Sequence, residues 1–211
     1  TNLTGSPACG DNVTDMSSAY YKCENLTGNP VCGDKVTSMA GTYANCFKLT
    51  GSPVCGPNVK SMGSTYTNCR NLKGAPVCGP NVTNMYSTYT NCYNLTGSPV
   101  CGDKVTNMYW TYMNCYNLTG NPICGPNVTH MYCAYYNCPN LCGDMYAYSD
   151  NISNTYHCFY GRNNSKQLNI VVNFGTESYN SFTTHKITGY SLNWTNAGNG
   201  SIYCWNDEFN I

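Results

Sequence analysis

Charge is what this chain has least of. Ten basic and ten acidic residues in 211 leave a formal net charge of zero and a charged fraction of 9%, against ~25% in an ordinary soluble domain. Nucleic-acid binding needs a basic footprint, and none can be assembled here. No apolar run approaches the ~20 residues of a membrane-spanning helix. C-x-x-C pairs are absent and His130, His157 and His185 are scattered, so no metal site is expected. There is no glycine-rich phosphate loop, and the carboxylates are spread too thinly for paired acid and base work. Neither an enzyme nor a cofactor is expected. The chain opens at Thr1 in phase with its own pattern and without a leader, which reads as a processed product or a piece of a larger chain.

What is abundant is tyrosine (20) and cysteine (16), set among Asn, Thr, Gly and Ser. Much of this wealth is repetition. Six copies of a 23-residue unit run from 2–24 to 117–139 without insertion or deletion. The fifth, "NLTGSPVCGDKVTNMYWTYMNCY", carries Leu95, Cys101, Val105, Met108, Tyr112 and Cys115, and each of these stands in a column shared by every copy. A strict period of this length predicts a solenoid, because one unit cannot bury its own apolar residues but stacked units bury them as ladders. The spacing V-x-x-M-x-x-x-Y-x-x-C-x-x-L suits one inward-facing helical turn per coil. The segment S-P-V-C-G reads as a very short strand, cut by its Pro and Gly.

The pattern V-T-x-M-x-x-x-Y-x-x-C-x-x-L-T, seen in Val82, Met85, Tyr89, Cys92 and Leu95, resembles the BspA-like leucine-rich repeats over residues 2–139. It departs from them in "GSPVCGPN", where that family has a more regular strand. The resemblance implies a leucine-rich-repeat-like solenoid, with a short parallel strand and a helical turn in each coil. It also implies a role at the surface of a cell or virion, as in the adhesion-type proteins of bacteria, protozoa and phages. The cysteine after the aromatic residue is a core position in that family, which implies reduced thiols.

Two states are open for the repeat cysteines: thiols packed as small apolar groups, or a disulfide within each coil, such as Cys101 or Cys124 with Cys115. Thiols are the expectation, since a regular stack needs no staples. Cys133, Cys142, Cys158 and Cys204 break the period and are the better candidates for disulfides. N-x-S/T triplets recur along the chain, as its Asn and Thr content alone would produce, and Asn lining the coil turns accounts for them without sugars.

The unit is compressed in "LCGDMYAYSD", which reads as a degenerate seventh coil closing a domain at 1–150. Three β-like runs, "KQLNIVVNF", "HKITGYSLNWTN" and "SIYCWNDEFNI", make 151–211 a small β module serving as cap or tip.

Constant columns carry the stack, and variable ones face outward. One variable column is small in coils one to three and tyrosine after, and its neighbour turns bulky at Trp110, placing Tyr86, Tyr109, Trp110 and Tyr132 on one face, with Tyr93, Tyr116 and Tyr136 nearby. Such a strip suits a surface glycan or a protein receptor, or else packs against residues 151–211 or another copy. The expected function is non-catalytic adhesion or receptor binding on the outside of a cell or a phage tail fibre. The alternative is a structural subunit that self-associates into a fibre.

Overall fold

The computed structural model describes residues 2–161, 168–172, 177–184, 192–195 and 202–205. From residue 2 to 142 it contains neither a helix nor a multi-residue strand. The chain winds instead as stacked coils joined by alternate backbone hydrogen bonds. In the second coil the N–H groups of Met39, Gly41, Tyr43 and Asn45 donate forward to the carbonyls of Ser61, Gly63, Thr65 and Thr67, at 2.8–3.0 Å. The intervening Thr42, Ala44 and Cys46 donate three residues back, to Met39, Gly41 and Tyr43. Half of the amides thus tie coil to coil, and half close overlapping turns.

This corrects the expected helical turn. The apolar spacing of three and four is met by turns whose third residue is left-handed: Gly41 and Asn45 have φ of 63° and 66°, as type II turns require. Asn tolerates that conformation, and the Asn column then bonds to itself. Asn68, Asn91 and Asn114 each donate Nδ2 to the amide oxygen one coil back, at 2.7 Å. Other side-chain amides stitch the outer turns. Asn94 and Asn117 donate to the carbonyls of Arg70 and Tyr93, and Asn81 and Asn127 to those of Pro57 and Asp103.

The expected strand in S-P-V-C-G is also absent from the six coils. Single parallel bridges run instead from Asp15 through Ser38, Ser61, Asn84 and Asn107 to His130, one residue before Met. Two residues explain the shift. The buried Pro of each coil has no N–H to give a ladder. The residue after it turns both its backbone groups inward: Val54 N–H donates to the Tyr66 phenol at 3.0 Å, and that phenol donates to Val54 O at 2.8 Å. The same brace joins Tyr20 to Ala8, Tyr43 to Val31, Tyr89 to Val77, Tyr112 to Val100 and Tyr135 to Ile123.

The core is therefore a set of ladders. Leu95, Val105, Met108, Tyr112 and Cys115 are fully buried with their counterparts in coils two to six, while Cys101 is half-buried. The tyrosines from Tyr20 to Tyr135 and then Phe159 stack with ring centroids 5.4–5.6 Å apart, all within 9° of parallel. A buried Thr column closes the remaining gap: the Thr65 hydroxyl lies 2.8 Å from both the Met39 and Met62 carbonyl oxygens and shares its proton between them.

The seventh coil does not end at 150. Cys124 bridges to Ala147, 23 residues on, and His130 to Asn154, 24 on. One inserted residue hides the register from a strict period. Ile152, Phe159 and Tyr160 then stand where Val128, Tyr135 and Tyr136 stand one coil earlier, so the seventh coil runs on past residue 150. This coil also explains the others by contrast. Met145 replaces the buried Pro, Phe159 replaces the bracing Tyr, and a strand appears, β1 (Gly143–Tyr146). It pairs in parallel with β2 (Leu168–Val171). A helix not expected from the sequence, α1 (Glu177–Thr184), follows and buries Ser178, Ser181 and Phe182. It is tied to the seventh coil by Ile152 N–H on Ser178 Oγ and by Thr155 Oγ1 on the Ser181 carbonyl. β3 (Leu192–Thr195) pairs in parallel with β2, and β4 (Ile202–Trp205) antiparallel with β3. A strand thus falls in each of the three β-like runs, and the three strands continue the sheet that begins at β1.

Candidate functional site

The variable columns converge on one surface. Tyr86, Tyr109, Tyr132 and Tyr156 stack in order, with centroids 5.6, 4.7 and 5.8 Å apart and planes within 25°. Trp110 leans across the ladder, 4.7 Å from Tyr109 at 58°, and also meets Tyr86 and Tyr132. The stack continues beyond the residues the period had selected. Tyr156 follows Tyr132, and Tyr160 follows Tyr136 at 4.9 Å. His157 joins the two, 3.8 Å from the Tyr156 ring and edge-on to Tyr136 and Tyr160. The signal for the two tyrosines was "NISNTYHCFYG", which keeps the Asn and both outer Tyr of "NVTHMYCAYYN" in coil six at a spacing of 24.

Tyr93 and Tyr116 belong to another column. They stack at 5.1 Å, and the column runs back through Arg70 to Phe47. The Arg70 guanidinium sits 4.9 Å from the Phe47 ring centre and 5.9 Å from that of Tyr93, a cation held between two aromatic faces. Neither Phe47 nor Arg70 was singled out from the sequence.

The geometry limits what the main ladder can grip. Rings stacked face to face along the rod spend their faces on one another and turn edges and phenol groups outward. A pyranose needs an open ring face, which this ladder does not offer along its length. Edges and hydroxyls suit a polar, flat partner surface such as a protein. Backbone strain sharpens the case at Trp110, whose φ is 59° in a column that is Ser18, Gly41, Ser64 and Ser87 in the preceding coils. A bulky residue there is costly and gains nothing for the core.

All fifteen described cysteines are thiols. Cys69 Sγ donates to the Tyr43 carbonyl one coil back, and the same bond recurs at Cys92, Cys115 and Cys138. Burial pushes the thiols of Cys55 and Cys101 up to about 12 and that of Cys78 to about 11. The disulfide candidates are corrected likewise: Cys133, Cys142 and Cys158 are unbonded. Cys133 stands one coil after Trp110 in the same column, its thiol raised by burial against hydrogen bonds with Trp110 and Tyr132. Cys204 lies in β4, outside the described side chains. No group of His, Cys, Asp and Glu among the described residues could hold a metal ion, and no helix among them is long and apolar enough to cross a membrane. Comparison with models of known protein families, with curated proteins and with solved structures finds no match to this chain.

Proposed function

We propose that this chain is a non-catalytic adhesion or receptor-binding protein, displayed outside a cell or on a virion such as a phage tail fibre. On this reading the scaffold is a solenoid of the leucine-rich-repeat kind, and the Tyr86–Tyr109–Tyr132–Tyr156 ladder with Trp110 contacts a protein partner. One observation carries it. The core columns are the same in coils one to six, yet an outer column changes from small to aromatic midway along them. Packing does not ask for that change, because coils one to three close the same core with Ser17, Ala40 and Gly63.

The alternative, a structural subunit whose rods associate side by side, uses the same strip with a second copy as partner. Sedimentation and cell binding separate the two. The binding reading expects a monomer across the micromolar range and saturable attachment to cells, lost when the strip is replaced by the small residues of coils one to three. Concentration-dependent association abolished by the same replacement, without attachment to any cell, would assign the strip to self-assembly.

A further inference from the structure

The zero net charge of this chain conceals a separation. Between Asp34 and Asp103 there is no carboxylate, yet Lys35, Lys48, Lys60, Arg70 and Lys73 all fall there. That length of chain carries positive charge alone, with no acid interspersed to cancel its field.

Three of the five meet on one outer edge. Phe47 and Arg70 share a column, and Lys48 and Asn71 share the next. Asn71 Nδ2 donates to the Phe47 carbonyl at 2.9 Å, and the Lys73 N–H to the Gly51 carbonyl at 2.8 Å, which fixes the register of the two coils. Leu49 and Leu72 are buried beside them, while Lys48, Arg70, Asn71 and Lys73 are exposed. Rung and residue spacing place the Cα atoms of Lys48, Arg70 and Lys73 within about 10 Å of one another. Lys35, by contrast, is committed to Asn12, its Nζ 2.7 Å from Asn12 Oδ1.

Arg70 is the fixed member. Its guanidinium stands 4.9 Å from the Phe47 ring centre and 5.9 Å from that of Tyr93, which restrains the side chain before any ligand arrives. Ring faces hold a cation but offer no lone pairs to its N–H groups. Among the described residues no carbonyl or carboxylate takes a hydrogen bond from that guanidinium, and neither Lys48 nor Lys73 has an ionic partner. A planar fork of donors is thus left for two oxygens of one anion.

We propose that this edge binds an acidic polysaccharide through its sulfate or carboxylate groups. Arg70 donates two N–H groups to one anionic group, and Lys48 and Lys73 meet the charges beside it. Asn71 keeps its Oδ1 for a sugar hydroxyl. Thr50, and Asn94 with its Nδ2 on the Arg70 carbonyl, add uncharged polar groups around the cations. Amides and hydroxyls set among charges match a saccharide better than an acidic peptide, whose remaining side chains and backbone are less polar. Three cations also fall short of the ~6–10 phosphate contacts of a nucleic-acid track. No residue here belongs to the Tyr86–Tyr109–Tyr132–Tyr156 ladder, so this site stands or falls apart from the protein contact proposed there.

The test is retention of the full chain on immobilised heparin, hyaluronate and polyglutamate at ~20 mM salt, where exposed charges are little screened, with elution in rising NaCl. The proposal expects retention on heparin, which identifies sulfate as the anion, or on hyaluronate, which identifies a carboxylate. For three contacts the log of affinity should fall against the log of salt with a slope of about −2 to −3, and Arg70→Gln should make it shallower by about one. Lys48→Gln and Lys73→Gln should each elute earlier than the unaltered chain. Arg70→Lys keeps the charge but not the fork, and should elute between the unaltered chain and Arg70→Gln. Lys104→Gln removes a cation bonded to Asn81 and should elute with the unaltered chain. Each of these side chains is exposed, and unchanged urea midpoints show that retention is lost without loss of fold. No retention on either polysaccharide, an Arg70→Gln chain that elutes as the unaltered chain does, or retention on polyglutamate alone overturns the proposal.

Discussion

The phenol oxygen of Tyr89 lies 2.7 Å from the carbonyl oxygen of Val77 and 3.0 Å from its amide nitrogen, twelve residues back in the same coil. One side chain thereby satisfies both backbone groups of a residue that would otherwise seek a strand partner. It is the reason the tyrosine ladder is tyrosine and not phenylalanine.

Tyr89→Phe should therefore be unusually costly. The ring stack survives, but the Val77 N–H and C=O lose their partner, and leaving such groups unsatisfied costs about 1–3 kcal/mol. Urea denaturation measures the loss, and faster amide exchange at Val77 locates it. A neutral Tyr89→Phe would mean that water takes over the brace.

The left-handed Asn column predicts an order of substitutions. Asn91→Gly keeps the φ of 61° and loses only the amide ladder to Asn68 and Asn114. Asn91→Ala loses the ladder and also pays for a Cβ in the left-handed region, roughly 1–2 kcal/mol more. The expected stability is wild type, then Gly, then Ala.

How much of this was legible in the sequence differs by level. The columns of Leu, Val, Met, Tyr and Cys could be read because burial repeats every 23 residues. What joins the columns could not, because spacings of three and four are common to a helix and to overlapping turns. The recurring Asn and Gly were the clue, as residues that tolerate positive φ. The strand failed for a related reason. An apolar segment such as S-P-V-C-G reads as extended, but its hydrogen-bond partner proved to be a phenol across the coil. At the surface, the change to Tyr86, Tyr109 and Tyr132 was visible as column variation. Tyr156, His157 and Tyr160 were not, since one inserted residue broke the count.

The thiols predict a pH dependence. A cysteine whose pKa is raised on folding holds its proton longer in the folded chain than in the unfolded one. Its contribution is fully present below the ordinary value near 9 and is lost as pH rises toward about 12, the level to which burial takes Cys55 and Cys101. Thermal midpoints should fall steadily between these limits. Iodoacetamide at pH 8 should modify the fully buried Cys69, Cys92 and Cys115 only after denaturant is added.

Trp110→Gly separates fold from function. Relief of the left-handed backbone, worth about 1–2 kcal/mol, offsets the lost ring contacts, worth about 0.5–1.5 kcal/mol. Stability should change little, while attachment to a partner drops.

The most direct measurement joins stability and binding in one variant. Tyr109→Ser, Trp110→Ser and Tyr132→Ser together give coils five and six the small outer residues of the early coils. The account predicts a denaturation midpoint close to that of the unaltered chain and loss of attachment to cells. A variant that unfolds, or one that attaches as the unaltered chain does, would contradict the assignment of the aromatic ladder to binding.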